Sequence, residues 1–412
     1  MTRHFWVLLH RYAGLYMAFF LTVAGLTGSV LAFIHELGDW LNPEHLHVLV
    51  QDRPMLDVFT LREKALALEP HAQFNAVAFD RQPGRAFVLL ASPAIDPATS
   101  APYALDYTDL RLNPYSGEIV GFDNVKSNWP LTRHNILDFI YALHYSLAMG
   151  EIGTWLFGIA ALIWTIDCFV SVYLTFPLSV RRHQQTKSAL KKSWWSRWQP
   201  SWLIKWRAST FRINFDLHRA GGLWTWAMLF VFAWSSVAFN LGQQVYIPVM
   251  QQLFEMSDYK NLPIPDLEQP RPNPVIDFKT AHQISQHLMS EQAQQKGFQV
   301  LEESSLGYDP AKGLYNYAVK SDYDIGMFGV TLLWIDGNSG ALVAHLLPTG
   351  QKAGDTITYW LQVLHMAKIW GLPYKIFVCL MGLVVAMLSV TGVYIWWKKR
   401  RAATLSRHIL RK

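Results

Sequence analysis

The sequence predicts a membrane protein: an all-α bundle of four transmembrane helices carrying two α+β loop modules, laid out as an internal two-fold repeat. Three observations predict it. Four apolar runs are each long enough to cross a bilayer, basic residues are segregated into three of the segments beside them, and a Leu-His-Arg triplet precedes both the first run and the third.

Crossing the hydrocarbon takes ~20 residues of helix at ~1.5 Å rise each. Tyr12–Ile34, Ile152–Phe176, Gly221–Leu241 and Ile376–Trp397 meet that length, and only the second contains a charge, Asp167. The first run is too long for the apolar core of a cleaved leader and no convincing small-residue cleavage site follows it, so it is expected to be retained.

A formal net charge of +6 would suit a nucleic-acid partner, but its distribution argues against one. Residues 1–11, 178–220 and 398–412 hold 19 of the 36 Lys and Arg against a single acid, Asp216. The two long loops hold 17 basic and 28 acidic residues. Basic flanks mark the cytoplasmic side, so both termini and the middle segment are expected inside and both long loops outside. Cys168 and Cys379, the only cysteines, fall in predicted spans, and no C-x-x-C-H occurs. A disulfide framework and covalently attached haem are both excluded.

The elements follow in order: a first span (1–35), a loop module (36–135), an interfacial segment with the second span (136–177), and a basic linker (178–215). The plan then repeats with a third span (216–247), a second loop module (248–355), an interfacial segment with the fourth span (356–398), and a tail (399–412). The first loop predicts a helix near Leu56–Leu68, strands near Phe74–Phe79, Ala86–Leu90 and Thr108–Leu112, and a turn at "NPYSGEIVG" (113–121). The second predicts a helix near Phe278–Ala293, strands near Leu314–Val319 and Gly329–Ile335, and a turn at "DGNSGALVA" (336–344). Both turns have hairpin composition. Pro-rich "NLPIPDLEQPRPNP" (261–274) reads as an extended connector.

Histidine placement carries the chemistry. His10 and His218 stand in matching Leu-His-Arg triplets before the first and third runs. His144 and His365 stand in "ALHYSLAMG" (142–150) and "VLHMAKIWG" (363–371), each six residues before a Gly and just ahead of a run heading inward. Imidazoles near lipid are costly without partners and default to functional candidates. Two neutral imidazoles on facing helices can fill both axial positions of a haem iron, so the pairs suggest one haem b near each face and electron transfer as the task. Arg11 and Arg219 suit haem propionates, although each alone also reads as an ordinary positive-inside residue. Taken singly, each histidine reads equally as an interfacial residue, and the twofold recurrence favours ligation.

His35 is an alternative ligand at the outer mouth, but ~37 Å of helix separates it from His10, so those two cannot share an iron. "HELGDWLNPEHLHV" (35–48) gathers acids and histidines that could bind metal, although a solvated polar loop explains them without strict spacing. Asp167 suits either a proton relay or a structural hydrogen bond to a neighbouring helix, the latter favoured. No G-x-G-x-x-G, Walker A, G-x-S-x-G or H-E-x-x-H motif occurs, so electrons would have to come from a separate donor.

The stretches "LHRYAGLYMAFFLTVAGLTGSVLAF" (9–33), "LHYSLAMGEIGTWLFGIAAL" (143–162), "LHRAGGLWTW" (217–226) and "LHMAKIWGLPYKIFVCLMGLVVAMLSVTGVYIWW" (364–397) resemble the PepSY-associated transmembrane-helix proteins. The loop hairpins look like PepSY-type modules. Members of this kind include bacterial inner-membrane ferric-siderophore reductases of the ferrioxamine type. The resemblance implies two b-type haems ligated by His10, His218, His144 and His365, with both termini cytoplasmic and two large periplasmic loops. It also implies a cytoplasmic or quinol donor and a ferric siderophore as substrate. Asp167 departs from the apolar residue expected at its position, and "SVYLTFP" (171–177) lacks the glycine seen at Gly392. Two other functions fit the pattern: a non-catalytic PepSY-type regulator of a periplasmic partner, which would carry no redox-active haem, and a quinol-linked cytochrome b subunit, which would not turn over ferric chelates.

Overall fold

The computed structural model describes residues 2–123, 131–178, 193–257 and 266–409 of the 412. Parts of the linker (179–192), of the Pro-rich connector (261–265) and of the tail (410–412) lie outside the described residues. The chain forms two compact units: Met1–Phe33, Ile140–Val249 and Leu364–Lys412 make one, and Ile34–Phe139 with Met250–Val363 the other.

From the N-terminus, the first half runs α1 (Arg3–Leu31), α2 (Ile34–Leu41), α3 (Pro43–Leu46) and α4 (Val58–Leu68). Strands follow as β1 (Ala72–Gln73), β2 (Ala76–Ala78), β3 (Phe87–Leu90), β4 (Ser92–Pro93), β5 (Asp109–Leu112) and β6 (Ile119–Asp123), then α5 (Ile136–Ser146) and α6 (Gly150–Thr175). The middle segment contributes α7 (Trp194–Trp198) and a 3-10 turn at Gln199–Trp202. The second half runs α8 (Thr210–Asn240), a π-helical step at Gly242–Tyr246, α9 (Ile247–Leu253), α10 (Phe278–Lys296), β7 (Val300–Asp309), β8 (Leu314–Ser321), β9 (Thr331–Asp336), β10 (Leu342–Leu346), α11 (Ala353–His365) and α12 (Gly371–Ile409).

Four helices, α1, α6, α8 and α12, are long and apolar enough to cross a membrane, as the four runs predict. They begin before the apolar runs do. α1 starts at Arg3, and α8 starts at Thr210, where the Ser209 hydroxyl accepts from Arg212 N. His10 and His218 therefore lie two turns inside continuous helices, just before the apolar runs begin. "KKRRAATLSRHI" contains no Gly or Pro to stop a helix, so α12 runs on through the expected tail to Ile409.

Small residues let these helices meet closely, which in lipid supplies packing that the hydrophobic effect cannot. A Cβ at Gly25 of α1 would stand 2.5 Å from the Gly382 carbonyl oxygen of α12. One turn later the Ser29 hydroxyl donates to the Cys379 carbonyl at 2.8 Å. On α6, a Cβ at Gly158 would stand 2.5 Å from the Leu241 side chain at the end of α8.

The sequence separates two loop modules; the strands join them. A five-stranded antiparallel sheet has the order β10-β9-β8-β7-β2, so a strand of the first loop completes the sheet of the second. One apolar core follows, in which Leu61, Phe74, Leu89 and Leu110 are buried with Leu306, Tyr315 and Ile335. Asp57 and Asp277 cap α4 and α10 by accepting from backbone N–H groups of their first turns. Both expected hairpin turns form, with left-handed Gly117 and Gly340. β7 has no counterpart among the expected strands, because register shifts at Val300/Glu302 and Glu303/Ser305 break its alternation. Glu303, from this irregular stretch, accepts from Tyr317 Oη at 2.5 Å and lies 2.6 Å from His282 Nε2.

Candidate functional site

Each expected histidine pair forms. The rings of His10 on α1 and His218 on α8 lie with centroids 6.1 Å apart and planes tilted by 55°, and those of His144 at the end of α5 and His365 at the end of α11 lie 6.1 Å apart at 73°. Two imidazole nitrogens bound at ~2 Å on opposite sides of one metal atom put ring centroids ~6 Å apart, so both separations suit a shared ion.

The partners of the rings decide which nitrogen is left to bind. His10 Nδ1 lies 2.9 and 3.0 Å from the two carboxylate oxygens of Asp167 on α6. His218 Nδ1 lies 3.0 Å from the Leu388 carbonyl and 3.1 Å from Thr391 Oγ1, both on α12. His144 Nδ1 meets Thr27 Oγ1 at 3.0 Å, and His365 Nδ1 meets Ser235 Oγ at 2.6 Å. Thr27, Ser235 and Thr391 each donate their hydroxyl proton to a carbonyl of their own helix. The remaining lone pairs, like the carboxylate and the carbonyl, can only accept. At His10 and His218, where a carboxylate and a carbonyl can only accept, Nδ1 is the protonated nitrogen and Nε2 keeps the lone pair a metal requires; His144 and His365 take the same tautomer when Thr27 and Ser235 give their protons to their own helices.

One interval is the same on two of the spans. Thr27 lies 17 residues after His10 on α1, and Ser235 lies 17 residues after His218 on α8. That interval is ~25 Å of helix, which separates the levels of the two pairs. Thr-Gly occurs at 27–28 and again at 391–392, and each glycine lies against a ring: a Cβ would stand 3.0 Å from His144 Cε1 at Gly28 and 3.1 Å from His218 Cε1 at Gly392. Thr27, Ser235, Thr391 and Gly28 are functional candidates that the sequence does not single out, whereas Gly392 stands out there only as the glycine missing from 171–177. The 17-residue interval and the repeated Thr-Gly were the signals available.

A flat prosthetic group also needs open space beside its ligands. Gly14 and Gly222, each one turn after its histidine, would meet nothing within 4 Å if given a Cβ. Both line a cavity of about 410 Å³ that also takes in His10, His218, Leu21 and Trp226. A mainly apolar cavity of this size with a few convergent polar groups is the usual setting for a bound cofactor. The residues present thus fit a bis-imidazole haem at the His10–His218 pair.

Arg3, Arg11, Arg219 and Lys399 line the same cavity. Arg219 is held by Asp216, which is fully buried and accepts from Arg219 Nη2 at 2.8 Å and from Arg212 Nε at 2.9 Å. Asp216 was visible in the sequence as the lone acid of the basic segments. Arg11 has no hydrogen-bond or ion-pair partner among the described residues, which leaves its guanidinium available to an anionic group.

Of the two readings of Asp167, the hydrogen bond to a neighbouring helix is the one that forms, and its partner is one of the paired histidines. His35 stands on α2, and both pairs are complete without it. Along 35–48, Asp39 is engaged by Arg85 at 2.8 Å and Glu44 by Arg133 at 2.5 Å. Among the described residues no cluster of three or more His, Cys, Asp or Glu is poised for a metal ion.

Residues 7–399 match the PepSY-associated TM region. The chain belongs to this family. As a member of the PepSY-associated family it is a multi-pass membrane protein, and the match spans all four long helices and the loop unit between them. No curated protein matches the chain.

Proposed function

We propose that this protein is a two-haem b-type oxidoreductase of the bacterial inner membrane. It carries electrons from a cytoplasmic-side donor to the periplasm, where they reduce Fe(III)-siderophore and release Fe(II). The observation that carries the reading is the two histidine couples, each with ring centroids 6.1 Å apart and every Nδ1 engaged by a neighbouring polar group.

His10 and His218 would hold one haem, and His144 and His365 the other. A haem held by these residues would supply one-electron transfer. The chain's own residues do the rest. Asp167, Leu388, Thr27 and Ser235 orient the rings, and Gly14 and Gly222 leave room beside His10 and His218. Arg11 offers a charge-assisted contact to a propionate. The basic segments set the histidine pairs at opposite faces by the positive-inside rule, with His10 and His218 inside. At the outer face one electron converts bound Fe(III) to Fe(II), which the hard oxygen donors of a siderophore hold far less tightly.

The test is reoxidation. Protein reduced with dithionite under argon is mixed with a ferric hydroxamate chelate, and the haem band and a colorimetric Fe(II) trap are followed together. Reoxidation matched by Fe(II) release supports the reading. Reduced haem that a ferric chelate does not reoxidise would exclude it.

A further inference from the structure

The two pairs differ in one respect. Three of the four rings lean on neutral partners: a threonine hydroxyl, a serine hydroxyl and a backbone carbonyl. His10 alone leans on a carboxylate, Asp167, with both oxygens at 2.9 to 3.0 Å and the carboxylate side chain only 10% exposed. By count from His144 and His365, Asp167 is the counterpart of Leu388, whose carbonyl serves His218. One half of the repeat thus replaces a carbonyl contact with a buried anion.

We infer that Asp167 holds the haem of the His10–His218 pair at a lower reduction potential than the haem of the His144–His365 pair, which gives electron flow its direction. The inference rests on the two-haem reading above. A carboxylate accepting the Nδ1 proton makes the imidazole a more basic ligand, and a more basic ligand stabilises Fe(III) over Fe(II). The buried negative charge acts in the same direction through space. The opposing charges are Arg3, Arg11, Arg219 and Lys399, which line the same cavity. Arg219 is already paired with Asp216, and the two propionates of a bound haem would offset the free cations, whereas Asp167 touches the ligand itself. Electrons entering at the first pair then run downhill to the second, where the neutral Thr27 and Ser235 contacts give no such stabilisation of Fe(III). Asp167 is a positioning residue, acting through His10.

Anaerobic redox titration of the full chain in detergent tests this, reading both haem bands in wild type, Asp167→Asn and His365→Ala. Wild type is expected to show two midpoints. His365→Ala should leave only the lower one. Asp167→Asn should raise that lower midpoint by about 59 mV or more, a tenfold change in its one-electron equilibrium, and leave the upper one in place. If Asp167→Asn does not fold or does not retain haem, Asp167→Glu, which keeps the anion, should hold the lower midpoint near its wild-type value. The inference is overturned if His365→Ala leaves the higher midpoint, or if Asp167→Asn moves neither midpoint or both alike. Absence of haem from wild-type protein would overturn the two-haem reading instead, which keeps the two failures distinct.

Discussion

Gly392 of α12 lies directly against His218 of α8, so close that a Cβ there would stand 3.1 Å from the ring carbon Cε1. The same relationship holds between Gly28 and His144 at 3.0 Å. Contacts this tight force the ring to give by a few tenths of an ångström. Gly392→Ala is therefore expected to weaken the low-spin spectrum of one haem and Gly28→Ala that of the other, each sparing its counterpart. Gly25→Ala meets backbone instead and should lower stability by ~1–3 kcal/mol, seen as an earlier thermal transition in detergent. Equal effects of Gly28→Ala on both haems would argue against separate sites.

Removing the hydroxyl behind a ring frees the ring to turn. Thr27→Ala and Ser235→Ala are each expected to weaken haem retention at the His144–His365 pair by 10- to 100-fold, the usual cost of losing an orienting partner. Dilution of the protein with an apo-haem acceptor measures that loss. Full retention in both variants would mean that the hydroxyls are bystanders.

The loop unit carries its own pH response. Burial pushes the Asp138 carboxyl up from 3.8 to about 6, with Asp123 and Asp109 adding to the shift and Arg111 opposing it. A carboxyl that ionises less readily in the folded state favours folding while it is protonated. Its contribution is complete below pH ~3.8 and fades as the pH rises through ~6. Asp138→Asn should flatten the stability profile across that window and raise the unfolding temperature at pH 7. A profile identical to wild type would show that Asp138 titrates normally.

Charge on the loops bears on the choice of substrate. With 17 basic against 28 acidic residues, they present a negative field that disfavours strongly anionic chelates. Cationic and neutral ferric chelates are expected to be reduced faster than anionic ones at low salt, with the gap closing as ionic strength rises. Equal rates for chelates of opposite charge at low salt would count against it.

The four spans and both histidine pairs were legible because their signals are local: uninterrupted apolar length, and a triplet that repeats in register with it. The partners of the rings were not, because Thr27, Ser235 and Thr391 look like any hydroxyl in a transmembrane helix until a second helix brings an imidazole to them. Asp167 stood out as a lone charge, but its sequence neighbours do not say which ring it meets 157 residues away. The shared sheet was hidden for a similar reason. β2 is only three residues long and finds its partner β7 more than 220 residues on, across two spans. Bulges in β7 erased the alternation that would have announced it.

The proposed function depends on four histidines holding two haems. A reduced-minus-oxidised spectrum with pyridine-haemochrome stoichiometry on the detergent-purified chain tests it most directly, beside His10→Ala, His218→Ala, His144→Ala and His365→Ala. Two b haems per chain are expected, with each variant losing haem or low-spin character at its own pair. A colourless protein after haem-replete expression would contradict it.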